Sequence, residues 1–111
     1  MIHMLSCFNL LPEVHFNDFC KSYHNFTLEM KKLDLLVKTD PIGKRVIDTP
    51  MDTDNERDHK YFTTMSFRDR EQLDLAYAHI LRHIGPSDIA HSNIFKKVQN
   101  PVFICWQDLK K

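Results

Sequence analysis

Ile2-His3-Met4-Leu5-Ser6-Cys7-Phe8-Asn9 is the stretch that decides the fold. Read as a β-strand it changes sides at every residue, and apolar groups fall on both: Ile2, Met4 and Phe8 on one, Leu5 and Cys7 on the other. A strand of that kind is covered above and below, so the fold needs two covering layers.

Pro12 ends this strand, and Asn17 or Asp18 can cap a helix behind it. Phe16, Phe19, Cys20, Tyr23, Phe26, Met30 and Leu33 recur at steps of three and four, which predicts a helix over about 17–33. Asp40-Pro41-Ile42-Gly43 is a turn signal, and Val46-Ile47 with its neighbours reads as a short second strand closed by Pro50. The polar, acidic stretch from Met51 to Asp58 is expected to be an exposed hairpin loop. Residues 59–67 carry the aromatic and β-branched side chains of a third strand.

Asp69, with Gln72 three residues on, opens a second helix in the manner of a capping box. Leu73, Ala76, Tyr77, Ile80, Leu81 and Ile84 form its apolar stripe, and Gly85-Pro86 is read as its stop. A further short helix is expected over 87–98, with Ile89, Ile94, Phe95 and Val98 available for burial, and Pro101 to Leu109 reads as a fourth strand.

Composition narrows the functional classes. The 111 residues suit one domain over 1–111, and 42% hydrophobic with 27% charged residues is globular rather than disordered. Fifteen basic residues balance fifteen acidic ones, and the basic pairs Lys31-Lys32, Lys44-Arg45, Lys96-Lys97 and Lys110-Lys111 are scattered, so no nucleic-acid partner is expected. No apolar run reaches the roughly 18 residues that cross a bilayer, so no membrane association is expected. Cys7, Cys20 and Cys105 are odd in number, lack CxxC spacing and stand among apolar neighbours, which fits buried thiols in a reducing, cytoplasmic setting. With only Gly43 and Gly85, no phosphate-cradling loop can form, and no GxSxG is present, so no nucleotide cofactor and no serine nucleophile are expected.

Two strand-helix-strand units in series give α+β, ferredoxin-like βαββαβ topology with an antiparallel four-stranded sheet and both main helices on one face. The opposite face is expected to carry Ile2, Met4, Phe8 and Phe62, an apolar patch larger than a monomer usually leaves in water. A second copy packing its sheet against this one would cover it, as a homodimer.

The order of elements, the stretch Phe19-Cys20-Lys21-Ser22-Tyr23-His24-Asn25-Phe26 and the junction Met65-Ser66-Phe67-Arg68-Asp69-Arg70-Glu71-Gln72-Leu73 carry a family likeness. Over nearly its whole length the chain resembles the dimeric α+β barrel superfamily, with its nearest look to the stress-responsive A/B barrel branch. The resemblance implies a barrel formed by two sheets and, in each subunit, a cleft between sheet and helices. Relatives include cofactor-independent monooxygenases, haem-degrading enzymes and a plant polyketide cyclase, so the fold alone assigns no activity.

If the odd positions of the first and third strands face the helices, the cleft is lined by His3, Leu5, Cys7, Asn9, Tyr61, Thr63, Met65 and Phe67, under Tyr23 and Tyr77. That is an apolar pocket with a few polar groups, or else a filled core edged by tyrosine hydroxyls. Resemblance to the plant cyclase places His3 and Tyr23 as candidate catalytic residues, with His3 as general base. Where that enzyme pairs a histidine with a tyrosine on the second helix, this chain has Arg82 beside His83 and Ala76 beside Tyr77. His79 and His83 stand four apart and could share a helix face, but no third ligand accompanies them and no metal is expected. The haem-degrading relatives imply a tryptophan where this chain has Phe67, and its one tryptophan is Trp106.

Two functions follow. One is a binding protein without cofactor that holds a small apolar or amphipathic molecule, an acyl chain or aromatic, with His3, Leu5, Cys7, Tyr23, Tyr61, Met65, Phe67, Tyr77 and His83 as its binding residues. The other is a cofactor-independent cyclase or monooxygenase acting on a polyketide-like or aromatic substrate, with His3 as base and a tyrosine steadying the enolate oxygen.

Overall fold

The computed structural model describes residues 1–110, so Lys111 of the Lys110-Lys111 pair lies outside the described residues. Strand β1 (Ile2–Leu10) is followed by helix α1 (Phe16–Lys32), the short strands β2 (Lys38–Thr39) and β3 (Gly43–Lys44), and β4 (Tyr61–Phe67). Helices α2 (Arg70–Leu81) and α3 (Gly85–Phe95) then lead to β5 (Val98–Gln107). The sheet runs β2-β4-β1-β5 with every pairing antiparallel, and β3 pairs with β4 as well. This is the ferredoxin-like α+β arrangement, with β1 between two neighbours as its two apolar faces require.

The second strand is not at Val46-Ile47, whose side chains are exposed. Thr39 pairs with Met65 and Gly43 with Phe62, four steps on this edge against three on β4, so β2 and β3 are two pieces of one bulged edge strand. Asp40-Pro41-Ile42 is the bulge rather than a turn, because Pro41 has no N–H for the ladder and an edge tolerates it. A second bulge lies on β5, where Cys7 meets Val102 and Asn9 meets Gln99. There Asn100 has φ 55°, Pro101 follows, and the ring of His59 bonds the Asn100 carbonyl at 2.6 Å.

Helix α1 starts at Phe16 with His15 as N-cap, so neither Asn17 nor Asp18 caps it; Asp18 sits in the first turn, where its charge suits the helix dipole. Its end is closed by Asp34 in the left-handed region at φ 56°, with the Asp34 N–H on the Lys31 carbonyl and the Leu35 N–H on that of Met30. Helix α2 begins as expected: the Asp69 carboxylate accepts from the Gln72 N–H at 2.8 Å, and the Gln72 amide reaches the Arg68 N–H and the Asp34 carbonyl. Gln72 thereby ties the start of α2 to the end of α1, fully buried. Gly85-Pro86 does not stop α2, which ends at Leu81 before His83 turns left-handed at φ 52°; it starts α3, with Pro86 in the first turn.

The core lies between sheet and helices, around Phe8, Phe19, Tyr23, Phe26, Met30, Leu36, Met65, Phe67 and Ala76. Met4 pairs with Met65, Ser6 with Thr63 and Phe8 with Tyr61, and directly opposed residues share a face. The helix side therefore takes the even positions of β1 and the odd positions of β4. This corrects the expected face of β1: Ile2, Met4 and Phe8 are on the helix side, while Phe62, opposite Cys7, is on the outer face as expected. Tyr77, Leu81, Ile84, Ile89 and Phe95 are exposed rather than buried, as is Cys105; Cys7 alone of the three free thiols is fully buried.

Candidate functional site

The helices do not fill the space above the sheet. A cavity of about 160 Å³ remains, floored by Met4, Ser6 and Phe8 of β1, by Thr63, Met65 and Phe67 of β4, and by Val98, Pro101 and Phe103 at β5. Its roof is Phe19, Tyr23, Phe26 and Met30 of α1, Leu73, Ala76, Tyr77 and Ile80 of α2, and His91, Ile94 and Phe95 of α3. Ser6 and Thr63 pair across the floor and Ala76 belongs to the roof, three short side chains where their neighbours are Phe and Met. Tyr77, Phe95 and Phe103 are each more than half exposed, so the lining reaches the surface where α2, α3 and β5 come together.

The lining is apolar apart from a few groups. Tyr23 is only 6% exposed, and its hydroxyl has no hydrogen-bond partner among the described residues. Burial pushes that hydroxyl up to about 12; the nearby Thr63 hydroxyl pulls the other way, without reaching hydrogen-bond geometry, and Asp40 adds a small upward push. The ring of His91 lies 5.4 Å from that of Phe26 and 5.8 Å from that of Phe95. Burial lowers the His91 imidazole below its ordinary value, opposed by Asp88 and assisted by His83, which favours its neutral form. The reading of the sequence gave His91 no role: α3 alternates small, polar and apolar residues without a marked apolar face, and only the packing of α3 on α1 turns this ring inward.

Of the residues expected in the cleft, Tyr23, Thr63, Met65, Phe67 and Tyr77 line the cavity. His3, Leu5 and Cys7 do not, since they pair with Ser66, Thr64 and Phe62 on the outer face. The parity of β1 is one residue away from the expected one, and a strand that is apolar on both sides gives no internal sign of which side is which. Asn9 is also outside, with its side chain on the Lys60 N–H and Asp58. Tyr61 faces the helices but is stacked on Phe16 and Phe8 outside the cavity lining. His83 is past the end of α2, exposed and paired with Asp88 at 3.1 Å, while His79 bonds Ser87, so the two imidazoles serve different partners.

His3 has a site of its own on the outer face. Nδ1 lies 2.7 Å from the Ser66 hydroxyl and Nε2 lies 2.8 Å from Asp108, with Trp106 packed 5.2 Å from the ring. The Asp108 carboxyl is held below its usual range by that bond to His3, with further help from the Met1 amine 3.5 Å away. Ser66 is 1% exposed, so this group of three anchors strand ends and offers no accessible nucleophile. Burial raises the Cys7 thiol, which leaves it a poor nucleophile too. Among the described residues no three His, Cys, Asp or Glu side chains are grouped to hold a metal ion, and no helix is long and apolar enough to cross a membrane.

No protein-family model matches the chain, and no curated protein does. Solved structures do. The Arabidopsis thaliana protein At3g17210 superposes with a TM-score of 0.76 at 8% identity, covering 100% of this chain and 98% of that one. A variant of SnoaB, a cofactor-independent oxygenase from Streptomyces nogalater, gives 0.69 at 7% identity over 99% and 94%. A dimeric ferredoxin-like protein of unknown function from Jannaschia sp. CCS1 gives 0.66 at 13% identity over 96% and 98%. At such identities the likeness is one of fold alone, the ferredoxin-like α+β fold.

Proposed function

We propose that the chain works as one domain that pairs with a second copy through its outer sheet face and holds a small apolar or amphipathic molecule, an acyl chain or aromatic, between sheet and helices. The observation that carries the binding role is the cavity itself, apolar and bounded by three helices, with the buried Tyr23 hydroxyl left without a partner. An apolar cavity of about 150 Å³ stays dry and takes a benzene-sized guest, so the volume suffices for a ligand. Pairing is supported by the outer face, where Ile104 and Trp106 are 53% and 44% exposed beside Leu5, Phe62 and Val102. The dimeric protein from Jannaschia with the same fold adds to that support. Three unpaired cysteines suit a reducing compartment.

Native mass spectrometry before and after mild organic extraction tests both halves. The expected result is a dimer that carries a small neutral mass, which extraction removes. A monomer at micromolar concentration overturns the pairing, and a protein that neither carries nor takes up any small molecule overturns the binding role.

A second reading, cofactor-independent chemistry on an aromatic substrate, draws on the likeness to SnoaB and on His91, the imidazole in the cavity lining. In that reading His91, not His3, is the base, because His3 is across the sheet from any molecule in the cavity. His91→Ala would then abolish turnover while leaving binding largely intact.

A further inference from the structure

We propose that the cavity selects a neutral molecule of about one ring, bearing one hydrogen-bond-accepting oxygen such as a ketone, aldehyde or ester, which the Tyr23 hydroxyl holds, and that it rejects carboxylates. This rests on the binding role proposed above and narrows its ligand.

Three observations lead there. The first is size: about 160 Å³ accommodates one ring or a short chain and is below the roughly 300 Å³ at which drug-sized pockets begin. The second is charge. Among the described residues the lining contains no Lys, Arg, Asp or Glu, and burial disfavours charge on its one imidazole, so an entering carboxylate would lose its hydration with no cation to replace it. The third is the unpaired hydroxyl. Tyr23 sits in the wall, more than nine-tenths buried, and a hydroxyl held up to about 12 remains protonated and donates across the physiological range. A buried donor without a partner is costly, and an oxygen acceptor delivered by a ligand relieves that cost, whereas a pure hydrocarbon leaves it standing. Thr63 beside it, 3% exposed, is part of the same wall.

Isothermal titration calorimetry of the full chain at pH 7 with acetophenone, ethylbenzene and benzoate tests this. The three differ in the oxygen and its charge and hardly in shape. Acetophenone is expected to bind about tenfold tighter than ethylbenzene, and benzoate at least tenfold more weakly than acetophenone. Tyr23→Phe should bring acetophenone down to the level of ethylbenzene while leaving ethylbenzene unchanged. A melting temperature no lower than the parent's would show that the variant is folded. Should Tyr23→Phe fail to fold, the ratio in the parent protein still decides. Ethylbenzene binding as tightly as acetophenone, or benzoate binding as tightly as either, overturns the ligand class and leaves the binding role standing. No heat with any of the three overturns both.

Discussion

The two faces of the sheet use the same strands in alternation, yet one is finished and the other is not. Toward the helices, Phe8, Thr63, Met65 and Phe67 are all buried, and the space left over is a cavity that opens where α2, α3 and β5 come together. On the outer side β1 is treated in three ways along its length. At its far end Asn9 and Cys7 are covered, Asn9 bonding residues 58 and 60 at the end of the loop that leads into β4. At its start His3 is pinned by Ser66 and Asp108. Between these, Leu5, Phe62 and Ile104 have no helix over them. The difference teaches that a helical layer can satisfy an apolar sheet face within one chain, whereas the face without one must find its cover elsewhere.

The contrast can be broken from either side. Phe19→Ala, in the most buried aromatic of the helix face, should cost about 3–5 kcal/mol in urea unfolding, since the site is hemmed in and a void would remain. A loss below about 1 kcal/mol would mean the helix face is not the stabilising one. On the outer face, Ile104→Glu should leave the circular dichroism spectrum unchanged but weaken pairing roughly hundredfold, because each copy would bury an unpaired carboxylate. Sedimentation velocity reads this directly, and an unaltered dimer would place the interface elsewhere.

The smallest effect concerns the polar anchor. The Asp108 carboxyl titrates below its ordinary 3.8 in the folded protein, chiefly through the His3 hydrogen bond. A carboxyl depressed by folding stabilises the fold above its unfolded value, and that contribution is lost as pH falls through the folded value. Asp108→Asn should therefore be slightly less stable than the parent above about pH 4, and the two should converge in more acid solution. Acid titrations followed by tryptophan fluorescence are suited to this, since the Trp106 ring lies beside that of His3. Curves that stay equally far apart as the pH is lowered from about 4 would assign the difference to something other than this carboxyl.

Much of the fold could be read from residues whose local signal agrees with their final environment. Asp69 and Gln72 mark the start of α2 because their side chains satisfy free N–H groups, and the Gln72 amide also docks the helix on the Asp34 carbonyl. Phe19, Tyr23, Phe26 and Met30 mark α1 because a helix with one buried side shows its period plainly. Val46-Ile47 misleads for the opposite reason: its β-branched pair resembles a strand, but its position in the chain carries it past the edge of β4, and both side chains are left in water.

The sequence by itself therefore determined the order of strands and helices and the need for two covering layers, since these depend on how many apolar groups a segment carries and at what period. Only the tertiary structure decided which side of β1 meets the helices. In a strand greasy on both sides, parity is set by pairing, and pairing of Met4 with Met65 sends His3 out and Ser6 in. The same cause took the histidine of the first strand out of the cavity, where Tyr23 remains and His91 joins it. Their chemistry arises from packing on residues distant in sequence.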